Sequence, residues 1–182
     1  MKRIANFIPS LSGGGAERVV VNLLRAFDRD KVTPLLITGS VTGPFTDKIP
    51  DDVEVIDLKT PQMRKATRPL IEVLNRQKAD LVVSHLSHAN IAILRAARKA
   101  KHRPTIAVVE HMTMSAYKGE RWRDRLIKPL TKRLYPHADH IISVSNDAAR
   151  DLEQVLSLPK NSVQTIYNPV VSPELEQQAR EN

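Results

Sequence analysis

The chain has 182 residues, 41% of them hydrophobic, with no internal repeat or low-complexity stretch, which is enough for one ordinary domain core. It has no cysteine and no run near the roughly 20 apolar residues that span a bilayer, which excludes disulfides, thiolate metal sites and a membrane span and suits a cytoplasmic protein. A net charge of +8 favours anionic partners, whereas 4% aromatic content weakens any platform for stacking single-stranded nucleic acid.

The chain opens with Met1-Lys2-Arg3, and its first apolar run reaches Pro9 and a cluster of glycines too soon for a signal peptide. That run, residues 3–8, reads as a strand. Residues 9–15 follow as Pro-Ser-Leu-Ser-Gly-Gly-Gly. From Ala16 the apolar residues Val19, Val20, Leu23, Leu24 and Phe27 recur at helical spacing, which predicts a helix over 16–28. Further strands are expected at 33–38, 53–57, 80–84, 105–110, 140–144 and 163–166. Several are unbroken apolar runs, as strands covered on both faces tend to be. Further helices are expected at 68–78, 90–101, 121–135 and 146–157, the fourth kinked or split at Pro129. The last opens on Ser145 or Asn146 as N-cap and stops before Pro159. Strand–helix alternation on this scale implies an α/β, Rossmann-like, doubly wound and mostly parallel sheet.

Ligands of such sheets bind beyond the carboxyl ends of the strands, which selects the loops 9–15, 39–46, 85–89, 110–120 and 144–147. Gly13, Gly14 and Gly15 lie in the first loop, where free helix N–H groups can cradle a phosphate. They match neither the Walker A loop nor G-x-G-x-x-G, because residue 18 is an arginine, and three glycines can also be a plain flexible turn. His111 directly follows a strand, where a near-neutral imidazole suits proton transfer or hydrogen bonding to a polar ligand. Its neighbour Glu110 reads either as a carboxylate base or as a last strand residue facing a helix. His85 and His88 lack a third metal ligand nearby, so they are read as partners for a substrate hydroxyl, and no metal or cofactor is expected. Basic residues gather in three groups: Lys59, Arg64, Lys65 and Arg68; Arg95, Arg98, Lys99, Lys101 and Arg103; and Arg121, Arg123, Arg125, Lys128, Lys132 and Arg133. Each is compatible with a solvated helix face, and together they suggest a surface that binds anions. With no accompanying recognition motif, nucleic acid is not an expected partner.

Three segments together resemble the amino-terminal domain of glycosyltransferase family 4. They are Gly13-Gly-Gly-Ala-Glu-Arg-Val19, Ala138-Asp-His-Ile-Ile-Ser-Val-Ser145 and Val163-Gln-Thr-Ile-Tyr-Asn-Pro-Val170. The resemblance implies the GT-B architecture, two Rossmann-like domains across a cleft with no catalytic metal. It implies transfer of a sugar from a nucleotide-sugar donor, with retention, to a glycan or lipid-linked acceptor of cell-envelope polysaccharide or lipopolysaccharide synthesis.

On that resemblance Gly13, Gly14 and Gly15 lie near the donor phosphates, and His111 contacts the transferred sugar as the catalytic-site histidine. His85, His88, Ser145 and Asn146 complete the expected substrate-binding set. Residues 1–166 are expected to form the acceptor-binding domain and 167–182 to begin an interdomain hinge. The family's paired glutamates, eight residues apart in the donor domain, have no counterpart among these 182 residues. The chain is therefore read as an amino-terminal half, inactive alone and located in the cytoplasm, on the inner face of an anionic membrane. The competing reading is a stand-alone flavodoxin-like module that binds a phosphorylated ligand without chemistry.

Overall fold

The computed structural model describes residues 1–116 and 126–169. Seven strands form: β1 (Lys2–Ile8), β2 (Val32–Thr38), β3 (Glu54–Asp57), β4 (Leu81–His85), β5 (Thr105–Glu110), β6 (His140–Ser143) and β7 (Val163–Thr165). The α-helices among the described residues are α1 (Gly15–Ala26), α2 (Thr67–Gln77), α3 (Ser87–Ala97), α4 (Ile127–Leu134) and α5 (Asn146–Leu156). The strands make one sheet in the order β3-β2-β1-β4-β5-β6-β7. Every neighbouring pair is parallel, so the α/β Rossmann-like sheet is wholly rather than mostly parallel.

Alternation along the strands divides two apolar clusters. Ala5, Phe7, Val82, Ile106, Val108 and Ile141 pack beneath α2 to α5, whereas Ile8 and Leu36 pack beneath α1 with Val20, Val21 and Leu24. α3 lies between α2 and α4 and is buried along most of its length, which explains its nearly continuous run of Ala, Ile and Leu.

Two Ala-Asp pairs tie the amino ends of the strands together. Asp80 Oδ2 accepts the backbone N–H of Arg3 at 2.8 Å. Asp139 Oδ2 accepts that of Ile106 at the same distance. Each aspartate thus satisfies the N–H of the second residue of an adjacent strand, a structural reason for the Ala138-Asp139 segment singled out above.

Three expectations about helices need correction or restriction. The third helix starts at Ser87, not residue 90, because Leu86 (φ 76°) turns the chain abruptly out of β4. Pro129 stands in the first turn of α4, where a missing N–H costs no intrahelical bond, so the described helix is not split there. The expected start of that helix at residue 121, the cations Arg121, Arg123 and Arg125, and the tail 170–182 lie outside the described residues. After β7, Asn22 Nδ2 on α1 donates to Pro169 O at 2.9 Å, which brings the start of the expected hinge against α1.

Ile93 is fully buried at the middle of α3. Ile93→Ala is expected to cost about 3 kcal/mol through lost apolar contact and the remaining cavity, read from the midpoint of urea unfolding.

Candidate active site

The winding reverses between β1 and β4: β1 leads through α1 to β2 on one side, and β4 leads through α3 to β5 on the other. The chain therefore diverges above the carboxyl ends of two neighbouring strands and leaves a crevice there. Residues 9–14, Leu86 and residues 111–116 border it.

The glycine loop enters this crevice. Gly13 takes φ +104°, a backbone conformation that side chains disfavour, and Gly14 is the N-cap of α1 without any side-chain cap. The first helical bond runs from Arg18 N–H to Gly14 O, so the N–H groups of Gly15, Ala16 and Glu17 precede it. A Cβ at Gly15 would meet nothing within 4 Å. At Gly14 the same Cβ would lie 2.5 Å from Glu17 Oε2, so the Glu17 carboxylate is folded back over the helix start. An incoming anion has to compete with that carboxylate. The loop is braced by its neighbour: Leu11 N–H donates to Thr42 O at 3.0 Å, and Gly39 and Gly43 leave no room for a Cβ against it.

His111 lies at the carboxyl edge of β5, partly exposed. Its Nε2 is 3.0 Å from His85 Nδ1, and His85 Nε2 is 3.2 Å from Asn6 Oδ1 on β1. His85 is only 1% exposed and both its ring nitrogens are engaged. The expected contact from His85 to a substrate hydroxyl is therefore corrected: His85 stands behind His111, not on the ligand. Burial pulls His85 down to about 3, helped by the nearby His111, and burial alone pulls His111 down to about 4.

Glu110 is adjacent in sequence but points to the opposite face of the sheet. Its carboxylate accepts from Ser87 Oγ at 3.0 Å, from Asn90 Nδ2 at 3.3 Å and from the Tyr135 hydroxyl in a short contact. Burial pushes it up to about 6, against the lowering effect of those three donors. This is the geometry of a strut between β5, α3 and the end of α4, with its carboxylate turned from the His111 face.

The other expected residues are spread along the same edge. His88 is exposed on the first turn of α3 and borders a cavity of about 60 Å³ with Ser87, Glu110 and Met112. Ser145 caps α5, its Oγ accepting from Ala148 N–H at 3.2 Å, and the exposed Asn146 borders a separate groove beside β7. The structure brings Gly13, Gly14, Gly15, His85 and His111 to the switch point, with Ser145 and Asn146 two strands away beyond β6. Asn6 and Tyr135 were missed. Asn6, a lone amide in an apolar strand, was the only available signal. Among the described residues no three His, Asp or Glu side chains converge as a metal site would require.

A sequence model of the family described as Glycosyltransferase Family 4 matches residues 13–172. A comparison with curated proteins returned no match. Among solved structures, the lipopolysaccharide outer core galactosyltransferase WaaB in its apo form aligns with a TM-score of 0.68 at 14% identity, over 93% of this chain and 46% of that one. S. aureus MnaA with UDP aligns with a TM-score of 0.65 at 20% identity, over 92% and 44%. Anabaena Alr3699/HepE with UDP aligns with a TM-score of 0.58 at 21% identity, over 99% and 50%. The chain thus spans about half the length of the structures it resembles, and at these identities the likeness is one of fold.

The buried groups set a pH dependence. As pH falls below about 6.5 the unfolded chain protonates at both histidines while the folded chain does not, so each withdraws stability on the acid side. Glu110 acts in reverse: between about 4.5 and about 6 only the folded carboxyl holds its proton, a stabilisation lost as pH rises through that range. Two histidines outweigh one carboxyl, so urea-unfolding stability is expected to fall from pH 6.5 to 4.5, and Glu110→Gln to steepen that fall. Stability rising on acidification contradicts the assignment.

Proposed function

This chain belongs to glycosyltransferase family 4, and we propose that it is the acceptor-side, amino-terminal half of a two-domain enzyme. That enzyme transfers a sugar with retention from a nucleotide-sugar to a glycan or lipid-linked acceptor of the cell envelope. The observation that carries the reading is that a glycine-flanked helix start without a side-chain N-cap and a strand-end histidine, linked through His85 to β1, lie at the same carboxyl edge of the sheet. Residues 1–166 would form this wall of the cleft and 167–182 the start of the hinge. The UDP bound to MnaA and HepE, and the lipopolysaccharide named for WaaB, support the choice of donor and acceptor classes.

The chemistry proposed for this wall is positional. Backbone N–H groups at the start of α1 point at a diphosphate leaving group and stabilise the charge that develops there. His111 orients the transferred sugar by hydrogen bonding, and His88, Ser145 and Asn146 line the edge along which an acceptor extends. Glu110 is excluded as a nucleophile by its direction, since its oxygens face Ser87, Asn90 and Tyr135. We further propose that these 182 residues alone do not transfer sugar, because the paired glutamates of the donor domain are not among them.

The second and third basic groups supply a membrane contact in this reading. Arg95, Arg98 and Lys99 from α3 and its end meet Arg133 of α4 around a groove of about 640 Å³ with Leu130 and Leu134 at its side. Among the described residues, none of these four side chains is seen in an ion pair or hydrogen bond. Cations beside leucines match a leaflet of anionic lipid headgroups, at about 1 kcal/mol per charge near the surface. No helix among the described residues is long and apolar enough to cross a membrane.

Incubated with nucleotide-sugars and envelope glycan acceptors, this chain is expected to release no nucleotide. The chain continuous with a donor domain is expected to transfer sugar with retained anomeric configuration, read by NMR of the product, and His111→Ala to slow that transfer about 100-fold. Transfer by the 182 residues alone, or inversion, overturns the corresponding part. In vesicle sedimentation, the double variant Arg98→Ala/Arg133→Ala is expected to weaken binding to phosphatidylglycerol vesicles about 30-fold, the loss of two such charges. Equal binding to phosphatidylcholine vesicles, or no binding to either, removes the charge-driven membrane contact.

A further inference from the structure

We propose that Asn6 and His85 are positioning residues that lock His111 into a single tautomer, with Nε2 protonated and Nδ1 left as a hydrogen-bond acceptor. The proposal rests on reading His111 as the residue that meets the transferred sugar.

The argument follows the atoms outward from β1. Asn6 is fully buried, and its amide is placed with Oδ1, which can only accept, 3.2 Å from His85 Nε2 and with Nδ2 unpartnered among the described residues. His85 Nε2 therefore carries the hydrogen. A neutral imidazole has one N–H, so His85 Nδ1 is left with a lone pair. That lone pair is 3.0 Å from His111 Nε2, which must then be the donor. His111 Nδ1 is consequently the acceptor of its ring. The ring centroids are 5.3 Å apart and tilted by 33°, an arrangement compatible with a nitrogen-to-nitrogen contact between ring edges.

Burial supports the premise that both rings are neutral, holding His85 and His111 below the ordinary histidine value. The direction of the chain is set at its inner end by one amide, because neither ring can reverse its proton without the other. His111 Nδ1 has no hydrogen-bond partner among the described residues. A buried acceptor left open is costly unless something completes it, and a hydroxyl of the bound sugar is the donor that suits it. In this arrangement His111 accepts from the sugar and does not donate to it. A sugar lacking a hydroxyl at that point, or presenting a carbonyl there, would lose the contact.

Long-range 1H–15N correlation NMR on the 15N-labelled chain reads the tautomers directly and needs no transferase activity. A failure here is thus separate from a failure of the glycosyltransferase reading. At pH 7 both histidines are expected in the Nε2–H form. Asn6→Leu removes the inner acceptor and is expected to give His111 a mixture of both tautomers. Asn6→Asp keeps an oxygen at the same place, so it should preserve the Nε2–H form and raise the pH at which His85 titrates. The second variant serves if the first does not fold. An Nδ1–H form of His111 in the unaltered chain, a His111 tautomer unmoved by Asn6→Leu, or a His85 titration unmoved by Asn6→Asp overturns the proposal.

Discussion

The reversal of winding between β1 and β4 is the constraint from which the other features of this domain follow. Phe7 pairs with Ser84 in register, yet the chain leaves these two strands in opposite directions. Above them no crossover helix can lie, and the edge is open to a ligand. Because alternate residues of a strand face opposite ways, the junctions after β4 and β5 serve two separate polar systems. Residues 85 and 111 contribute imidazoles to the α1 face, while residues 87 and 110 contribute a hydroxyl and a carboxylate to the face beneath α3. Leu86, at φ 76°, makes the sharp turn that separates His85 from Ser87. A non-glycine residue held at such an angle carries strain, which persists only where its surroundings determine it. Here Asn90 N–H donates to Leu86 O and Leu86 N–H to Val109 O, so the strained turn is clamped by α3 and β5 together.

Much of this architecture was legible from the chain. The inner strands β1, β4 and β5 stand where apolar runs announced them, because a strand covered on both faces has no polar side to interrupt the run. The glycine loop was legible through its position after β1. What was not legible is the pairing of polar residues across the sheet. Asn6 and His85 are 79 positions apart and meet only because β1 and β4 become neighbours after the crossover through β2 and β3. Tyr135 reaches Glu110 across 25 positions, from the end of α4. No periodicity encodes either contact. His85 was assigned to the ligand because it ends a strand, but ending a strand does not mean projecting beyond it. It is 1% exposed, and Asn6 and His111 occupy its two nitrogens. Likewise Gly39 and Gly43 carry steric demands as firm as those of the triple glycine, although as isolated residues they draw no attention.

Charge is distributed in a way that limits what this wall of a cleft can do. Among the described residues, one basic cluster lies away from the switch point: Arg95, Arg98, Lys99 and Arg133 line a groove against α3 and α4, on the other face of the sheet from α1. At the switch point the histidines are neutral, and the Glu17 carboxylate lies against the start of α1. A neutral imidazole orients a ligand but does not neutralise a diphosphate. The backbone dipole of α1 supplies about half an elementary charge. Glu17 opposes it until the side chain swings aside. On the proposed function, then, what the described residues of this edge offer a leaving group and its sugar is backbone dipole and a neutral imidazole held in place by Asn6 and His85.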